Sequence, residues 1–186
     1  VGGFRVEKNF SLLLKAFSIV KDKAHVKLVI VGNGVLEKEL KEQAANLGID
    51  RSVHFCGFQH NPYKFIANAD CFVLSSLTEG FPNVLLEALA CKKPVVSTDC
   101  QSGPRELLAP SSDPSLQVQK GYETAEYGIL TAPGDPEALA EAMFKIYSDP
   151  QVRSAFEAAA HERACNFNVT ICSNTYKAAI DNIAVN

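Results

Sequence analysis

Two glutamates, Glu79 and Glu87, stand on either side of a proline in the stretch from Ser75 to Thr98, S-S-L-T-E-G-F-P-N-V-L-L-E-A-L-A-C-K-K-P-V-V-S-T. An apolar strand over Cys71 to Leu74 runs into a polar turn, and Glu79-Gly80-Phe81 follow. Pro82 then takes the first helical position, where its missing N–H costs nothing. The pattern predicts a helix from Pro82 to about Cys91. Its first turn leaves the amides of Asn83 and Val84 without carbonyl partners, and unpaired N–H groups together with the helix dipole favour an anion there. A diphosphate fits that terminus. Glu87 lies five residues past Pro82, roughly 7.5 Å along the axis, so its carboxylate reaches the hydroxyls of a ribose attached to the diphosphate. Glu79, ahead of the helix, faces the other end. The arrangement reads as a sugar-nucleotide site.

Such a site needs a sheet edge to hold it. Strand-like runs recur at Val26 to Val31, Val53 to Phe55, Cys71 to Leu74, Val95 to Ser97 and Gly128 to Leu130, and the opening residues complete a further strand truncated at its start. Phe10, Leu13, Leu14, Phe17 and Val20 form one apolar stripe of a helix. Further helices are expected from Val35 to Asn46, near Pro62, from Asp135 to about Ser148, from Asp149-Pro150 toward His161, and from about Val169 to Ile183. Ala109 to Tyr127 lacks either period and reads as a surface loop. This alternation predicts an α/β fold: a Rossmann-like three-layer domain with a mostly parallel sheet. Ligands sit beyond the strand C-termini in such sheets. The loops bearing Gly32, Glu79 and Arg105 all follow strands, so they converge on one edge.

The run E-G-F-P-N-x-x-x-E, followed by A-x-A-x-x-x-P-V-V-x-T, resembles the E-x7-E signature of retaining glycosyltransferases of family 4, also called glycosyl transferases group 1, which have the GT-B fold. The resemblance covers Val1 to about Ile180 and corresponds to the C-terminal, donor-binding half of such an enzyme. It implies that Glu79 approaches hydroxyls of the transferred sugar, that Glu87 holds the ribose, and that the amides of Gly80, Phe81, Asn83 and Val84, around Pro82, meet sugar and phosphates. In the opening V-G-G-F-R-V-E-K-N-F, Lys8 matches the family's diphosphate-binding lysine. The usual G-R-x-x-x-x-K would put arginine at position 3, where this chain has Gly3; Arg5 comes two residues later. A guanidinium on a long stem suits phosphate geometry, so Arg5 is the expected substitute.

Gly32-Asn33-Gly34 follows a strand, but Glu37 stands where the third glycine of a dinucleotide fingerprint belongs. A nicotinamide or flavin reading is therefore weak. The resemblance instead turns Gly34 toward the donor cleft, although a tight strand-to-helix turn needing positive φ serves equally well. It also implies that backbone groups from Phe55 to Gly57 cradle the nucleotide base. Thr98 to Glu106 matches the glycine- and proline-bearing loop after the fifth strand, with Glu106 entering a short helix.

With 186 residues, 47% of them hydrophobic, the chain can bury one sizeable core. A net charge of −3 without a basic stripe argues against nucleic acid as partner. No apolar run reaches the ~18 residues of a membrane span, and no signal peptide is evident. The six cysteines lack zinc spacing, and the four histidines are scattered. These features suggest a reducing compartment and cytoplasmic location, with peripheral attachment to the inner membrane face open. The sequon at Asn168 then carries no meaning. Because Met143 is the only methionine and Val1-Gly2-Gly3 resembles a strand end, the chain reads as part of a longer protein. The expectation is one donor-binding domain over 1–186, in which 168–186 is a crossover helix toward an N-terminal acceptor domain outside this chain.

The resemblance implies transfer of a sugar from a UDP- or GDP-sugar to a saccharide or lipid-linked hydroxyl, with no metal and no cofactor. Glycan or cell-surface polysaccharide synthesis is the expected setting. A nucleotide-binding regulatory module on the same fold is the alternative from another class. A sugar-nucleotide epimerase of GT-B architecture is the enzymatic one; it would isomerise donor without acceptor.

Overall fold

The computed structural model describes residues 1–184, with side chains described through residue 181. Residues 185 and 186 of the expected crossover segment lie outside the described residues. The elements are α1 (Phe10–Lys21), β1 (Leu28–Ile30), α2 (Glu37–Asn46), β2 (Val53–Phe55), α3 (Tyr63–Ile66), β3 (Phe72–Leu74) and α4 (Asn83–Ala90) in the first half. There follow β4 (Val95–Thr98), α5 (Pro104–Leu108), β5 (Tyr122–Thr124), β6 (Ile129–Thr131), α6 (Pro136–Ser148), α7 (Pro150–Cys165) and α8 (Val169–Ala184). The α/β, mostly parallel architecture matches the expectation. The strands lie in two sheets: β1 pairs with β2 in parallel, and β3, β4, β6 and β5 follow in that order, parallel except for β5.

β4 and β6 are buried along their whole lengths, and their side chains alternate between two helix layers. Val95 and Leu130 pack against α4, α5 and α7 through Leu85, Leu89, Leu107 and Ala160. Val96 and Ile129 face the opposite way, onto Leu12, Ala16 and Val20 of α1 and Leu139 and Ile146 of α6. A further cluster, containing Phe4, Leu14, Phe17, Ile30 and Val53, supports β1 and β2. The expected caps form: Asp135 accepts the Ala138 N–H at 2.9 Å, and Asp149 accepts those of Gln151 and Val152 at 3.1 Å.

Three expectations are corrected. Residues 109–127 are not wholly loop, because Tyr122–Thr124 pairs antiparallel with β6 as an edge strand. The opening residues form no assigned strand, although Gly2 N–H donates to Val31 C=O at 2.9 Å and Phe4 N–H to Asn33 C=O at 2.8 Å. Pro82 is not the first helical residue. Its ψ of 81° lets Asn83 N–H turn back to Phe81 C=O at 2.9 Å, an inverse γ-turn placed ahead of α4.

Arg105 does structural work. Its Nε and Nη2 donate to Asp99 Oδ2 at 3.1 and 2.6 Å, and Nη2 also reaches Glu123 Oε2 at 2.9 Å. Asp99 and Arg105 are almost wholly buried, and Val118 N–H adds a third donor to Oδ2 at 2.7 Å. The pair clamps α5, β5 and the 109–121 loop around the end of β4. Removing one partner leaves the other charge buried and uncompensated, so Arg105→Met is expected to cost about 3–5 kcal/mol, read as a lower urea midpoint.

Candidate functional site

Parallel pairing sends the chain out of β3 and β4 at the same edge of the sheet, and there the two following loops bind each other. Glu79 N–H donates to Gln101 C=O at 3.1 Å, and Ser102 N–H returns to Glu79 C=O at 2.9 Å. Thr98 Oγ1 donates to Ser76 C=O at 2.6 Å, tying the last residue of β4 to the same loop. Gly103 has φ +93°, and a Cβ there would stand 2.4 Å from Gly80 O and 2.5 Å from Pro82 Cδ. Only glycine allows this crossing. The backbone of Glu79, Gly80 and Pro82 is therefore fixed from below, whereas a side chain at Gly80 itself would meet open space.

Lys8, delivered by a short 3-10 turn over Val6–Lys8, meets this loop. Its Nζ donates to both Glu79 carboxylate oxygens, at 2.8 and 2.9 Å, and Ser76 Oγ donates to Oε1 at 2.6 Å. Ser75 Oγ holds the Lys8 carbonyl at 3.0 Å, and Leu77 N–H holds that of Glu7 at 2.8 Å. The 3-10 turn is thus stitched onto the strand-end loop, with both charged groups mostly screened from water. Glu79's charge also reaches Cys100, whose thiol is pushed up to about 11, chiefly by burial and secondarily by that carboxylate. Cys100 is a neutral wall of the site.

Glu87 sits one turn into α4 under different conditions. Burial raises its pKa above the ordinary value of 4.5, with the Tyr63 hydroxyl opposing the rise. No guanidinium or ammonium side chain pairs with it among the described residues. Of the two amides expected free at the start of α4, that of Asn83 is engaged in the γ-turn; Val84's has no acceptor among the described residues. Phe81 leans out of the loop onto Phe167, ring centroids 5.5 Å apart, and Arg163 lies over the Phe167 ring.

Arg5 is exposed and pairs with Glu7 at 3.1 Å. Its Nε lies 3.4 Å from the point a β-carbon on Gly3 would occupy, so the side chain folds back over position 3. Gly34 closes on the opening segment, since a Cβ there would come within 2.6 Å of Phe4 backbone atoms. The positive φ in that loop belongs to Gly32, whose N–H donates to Gly57 C=O at 2.9 Å. Gly34, Gly57 and the opening residues are thus neighbours. Phe55 packs its ring edge-on against Phe4, 6.2 Å away, and belongs to the β1–β2 core. Sequence reading missed Ser75, Ser76, Tyr63 and Gly103 as partners of the site. The serine pair directly before L-T-E-G was its one visible signal.

The description "Glycosyl transferases group 1" belongs to the family profile that matches residues 1–163. The chain belongs to this family of glycosyltransferases. An uncharacterised glycosyltransferase of Methanocaldococcus jannaschii is 34% identical over 97% of this chain and 48% of its own length. The Campylobacter jejuni N-acetylgalactosamine-N,N'-diacetylbacillosaminyl-diphospho-undecaprenol 4-alpha-N-acetylgalactosaminyltransferase is 34% identical over 90% of this chain and 42% of its length. The crystal structure of Anabaena HepE in complex with UDP superposes with a TM-score of 0.80 at 25% identity, over 97% of this chain and 47% of that one. The glycosyltransferase chain thus spans about half the length of the curated relatives it matches, and its fold is that of GT-B glycosyltransferases.

The burial of Glu87 has a thermodynamic signature. A carboxyl whose pKa is raised on folding adds stability below its ordinary value and loses it as pH climbs through the raised one. Glu87→Gln cannot ionise, so its stability relative to the native sequence should rise as pH climbs from below the ordinary value of 4.5 through the raised one. Urea midpoints of both proteins across that range check the sign.

Proposed function

We propose that this chain is the donor-binding half of a retaining family 4 glycosyltransferase, which moves a sugar from a nucleoside-diphosphate sugar to a saccharide or lipid-linked hydroxyl. The observation that carries the reading is the meeting of Lys8 and Glu79 at 2.8 Å, beside the start of α4 and with Glu87 one turn further on. Lys8 holds the diphosphate, assisted by the Val84 amide and the dipole of α4. Arg5 supplies the second cation, a role supported by its fold-back over Gly3. Glu87 offers a partly desolvated carboxylate to the ribose hydroxyls, which supply the donors its burial denies it.

In this reading the Lys8–Glu79 contact rearranges as donor enters. The Lys8 ammonium turns to the diphosphate, and the Glu79 carboxylate, still held by Ser76, accepts hydroxyls of the transferred sugar. As the bond from the anomeric carbon to the diphosphate oxygen breaks, charge grows on that oxygen beside Lys8 and the α4 terminus. Fixed donors aimed at developing charge lower the barrier. Neither a metal nor a cofactor is required, because this charge falls to protein groups. Gly80, Phe81, Pro82 and Asn83 shape the sugar end, while Gly34, Phe55 and Gly57 lie toward the base.

The acceptor is held by an N-terminal domain beyond this chain, with α8 crossing toward it. Val169, Tyr176 and Ile180 of α8 are exposed on one side of the helix, with Ile171 exposed on the other, and the shared side is an apolar face suited to such a domain. None of the described helices is long and apolar enough to cross a membrane. A cytoplasmic protein that reaches lipid-linked acceptors by peripheral contact fits this reading, as does a role in polysaccharide synthesis. The undecaprenol-linked substrate in the name of the Campylobacter relative is consistent with such acceptors.

Calorimetry with UDP and GDP, alone and as sugar conjugates, tests the roles. Glu87→Ala should weaken the sugar-free diphosphate, whereas Glu79→Ala should spare it and weaken only the sugar conjugate. Lys8→Ala should cost roughly 1.5–3 kcal/mol toward the diphosphate and little toward the free nucleoside, and Arg5→Ala should follow it. Equal losses from both glutamate variants would overturn the division of roles. The chain alone should bind donor without efficient transfer, because positioning of the acceptor, worth up to about 7–11 kcal/mol, is absent; the full-length protein should transfer with retained anomeric configuration.

A further inference from the structure

The turn that carries Glu79 into α4 has one side-chain handle on its outer face. Gly80 offers none, and Pro82 is buried where Gly103 crosses beneath it. Phe81 is left, 43% exposed. Its ring lies against that of Phe167, centroids 5.5 Å apart and planes tilted by 50°, within the range in which aromatic pairs attract beyond their buried area.

Phe167 stands at the joint between α7 and α8, and both helix ends are tied there. Phe167 N–H donates to Ala164 C=O at 3.1 Å. Asn168 Nδ2 donates to Cys165 C=O at 2.9 Å, and its Oδ1 accepts the Ile171 N–H at 2.9 Å. One side chain thus closes α7 and caps α8, which leaves the adjoining ring little freedom. Arg163 restrains it further, with Cζ 4.8 Å from the Phe167 centroid and 5.3 Å from that of Tyr127.

Arg163 forms no ion pair among the described residues. Its donors go to main chain instead: Nε to Leu107 C=O at 2.8 Å and Nη2 to Glu106 C=O at 2.5 Å. These carbonyls belong to the last turn of α5, which helix geometry leaves without partners. α5 is five residues long and begins at Pro104, directly after the Gly103 that underlies Gly80. The end of α7 therefore holds the turn twice. Phe167 takes the ring of Phe81 from outside, and Arg163 grips the short helix whose start supports the turn from below.

We propose that Phe167, stacked on Arg163, is a positioning residue for the sugar end of the site: through Phe81 it holds the 79–83 turn in the conformation that presents the Glu79 carboxylate and the Gly80 backbone to the transferred sugar. The anchoring follows from the ring contact alone; its assignment to the sugar rests on the donor reading. Without the contact the turn regains conformations that binding must then remove. The loss falls on the sugar, because Lys8 and Glu87, which meet diphosphate and ribose in that reading, are placed by the 3-10 turn and by the body of α4.

Four variants of the chain test this. Phe167→Leu removes the ring but keeps apolar bulk, Phe167→Tyr keeps the ring, and Phe81→Leu and the Phe81→Leu/Phe167→Leu double complete a cycle. In the ligand-free chain, hydrogen exchange at the Glu79 and Asn83 amides should rise about three- to tenfold in each single Leu variant, by more than any change at Val96 of β4. The double variant should add nothing, and Phe167→Tyr should exchange as the native chain does. Calorimetry with UDP, UDP-glucose, UDP-N-acetylglucosamine, GDP and GDP-mannose gives the second readout. The affinity gained from the sugar should fall about three- to tenfold in the Leu variants, that for the bare diphosphate should hold, and Phe167→Tyr should keep both. Unchanged exchange at the turn, an equal rise at Val96, additive effects in the double variant, or equal losses for diphosphate and conjugate would each overturn the proposal. A native chain that binds none of these nucleotides would sink the donor reading instead, and the exchange comparison would still decide whether Phe167 holds the turn.

Discussion

Parallel pairing of β3 with β4 is the constraint on which the site depends. Parallel neighbours deliver their following loops to one edge, and no hairpin can join them, so a helix must cross between. That helix is α4, and its start lies at the edge where the Glu79 and Gln101–Gly103 loops meet. The cross-loop hydrogen bonds at 3.1 and 2.9 Å and the close crossing of Gly103 under Gly80 then turn a topological adjacency into fixed geometry. A flexible loop bearing Glu79 would lose conformational entropy each time it held a sugar. Here much of that ordering is already present in the fold.

The two glutamates are eight residues apart and share a chemistry, yet the fold treats them oppositely. Glu79 is charge-compensated, taking two contacts from Lys8 and one from Ser76. Glu87 is partly desolvated without a cationic side chain, and its pKa rises. In the proposed reading, compensation suits a group that must stay ionised while its partner turns to a diphosphate. Desolvation suits one that waits for neutral hydroxyl donors. Environment, more than residue type, assigns the roles.

Much of this was legible in the sequence because it is local. The strand–turn–helix run around Pro82, the caps at Asp135 and Asp149, and the apolar stripe of α1 each depend on neighbours within a few residues. What escaped was set at long range. β5 is three mostly exposed residues at an edge, so no buried alternation marks it; its order comes from β6 and from Glu123 gripping Arg105. The Lys8–Glu79 pair spans 71 positions, and nothing local announces it. Pro82 was misplaced by one position because the close approach of Gly103, not proline's preference, sets where α4 begins.

The distribution of positive charge follows from the same economy of groups. The chain is net acidic, with −3 overall, and its best-buried cation, Arg105, neutralises Asp99 instead of facing ligand. In the proposed reading, a dianionic diphosphate would therefore be met by few side chains. Lys8 is held at the edge by Ser75 and Glu79, and Arg5 reaches back over Gly3 from two residues downstream. The shift is tolerable because a guanidinium needs only its terminal nitrogens at the phosphate, and the absence of a side chain at position 3 leaves the path open. In that reading the Val84 amide and the α4 dipole supply the remainder without adding a charge that the domain would have to bury when no nucleotide is bound.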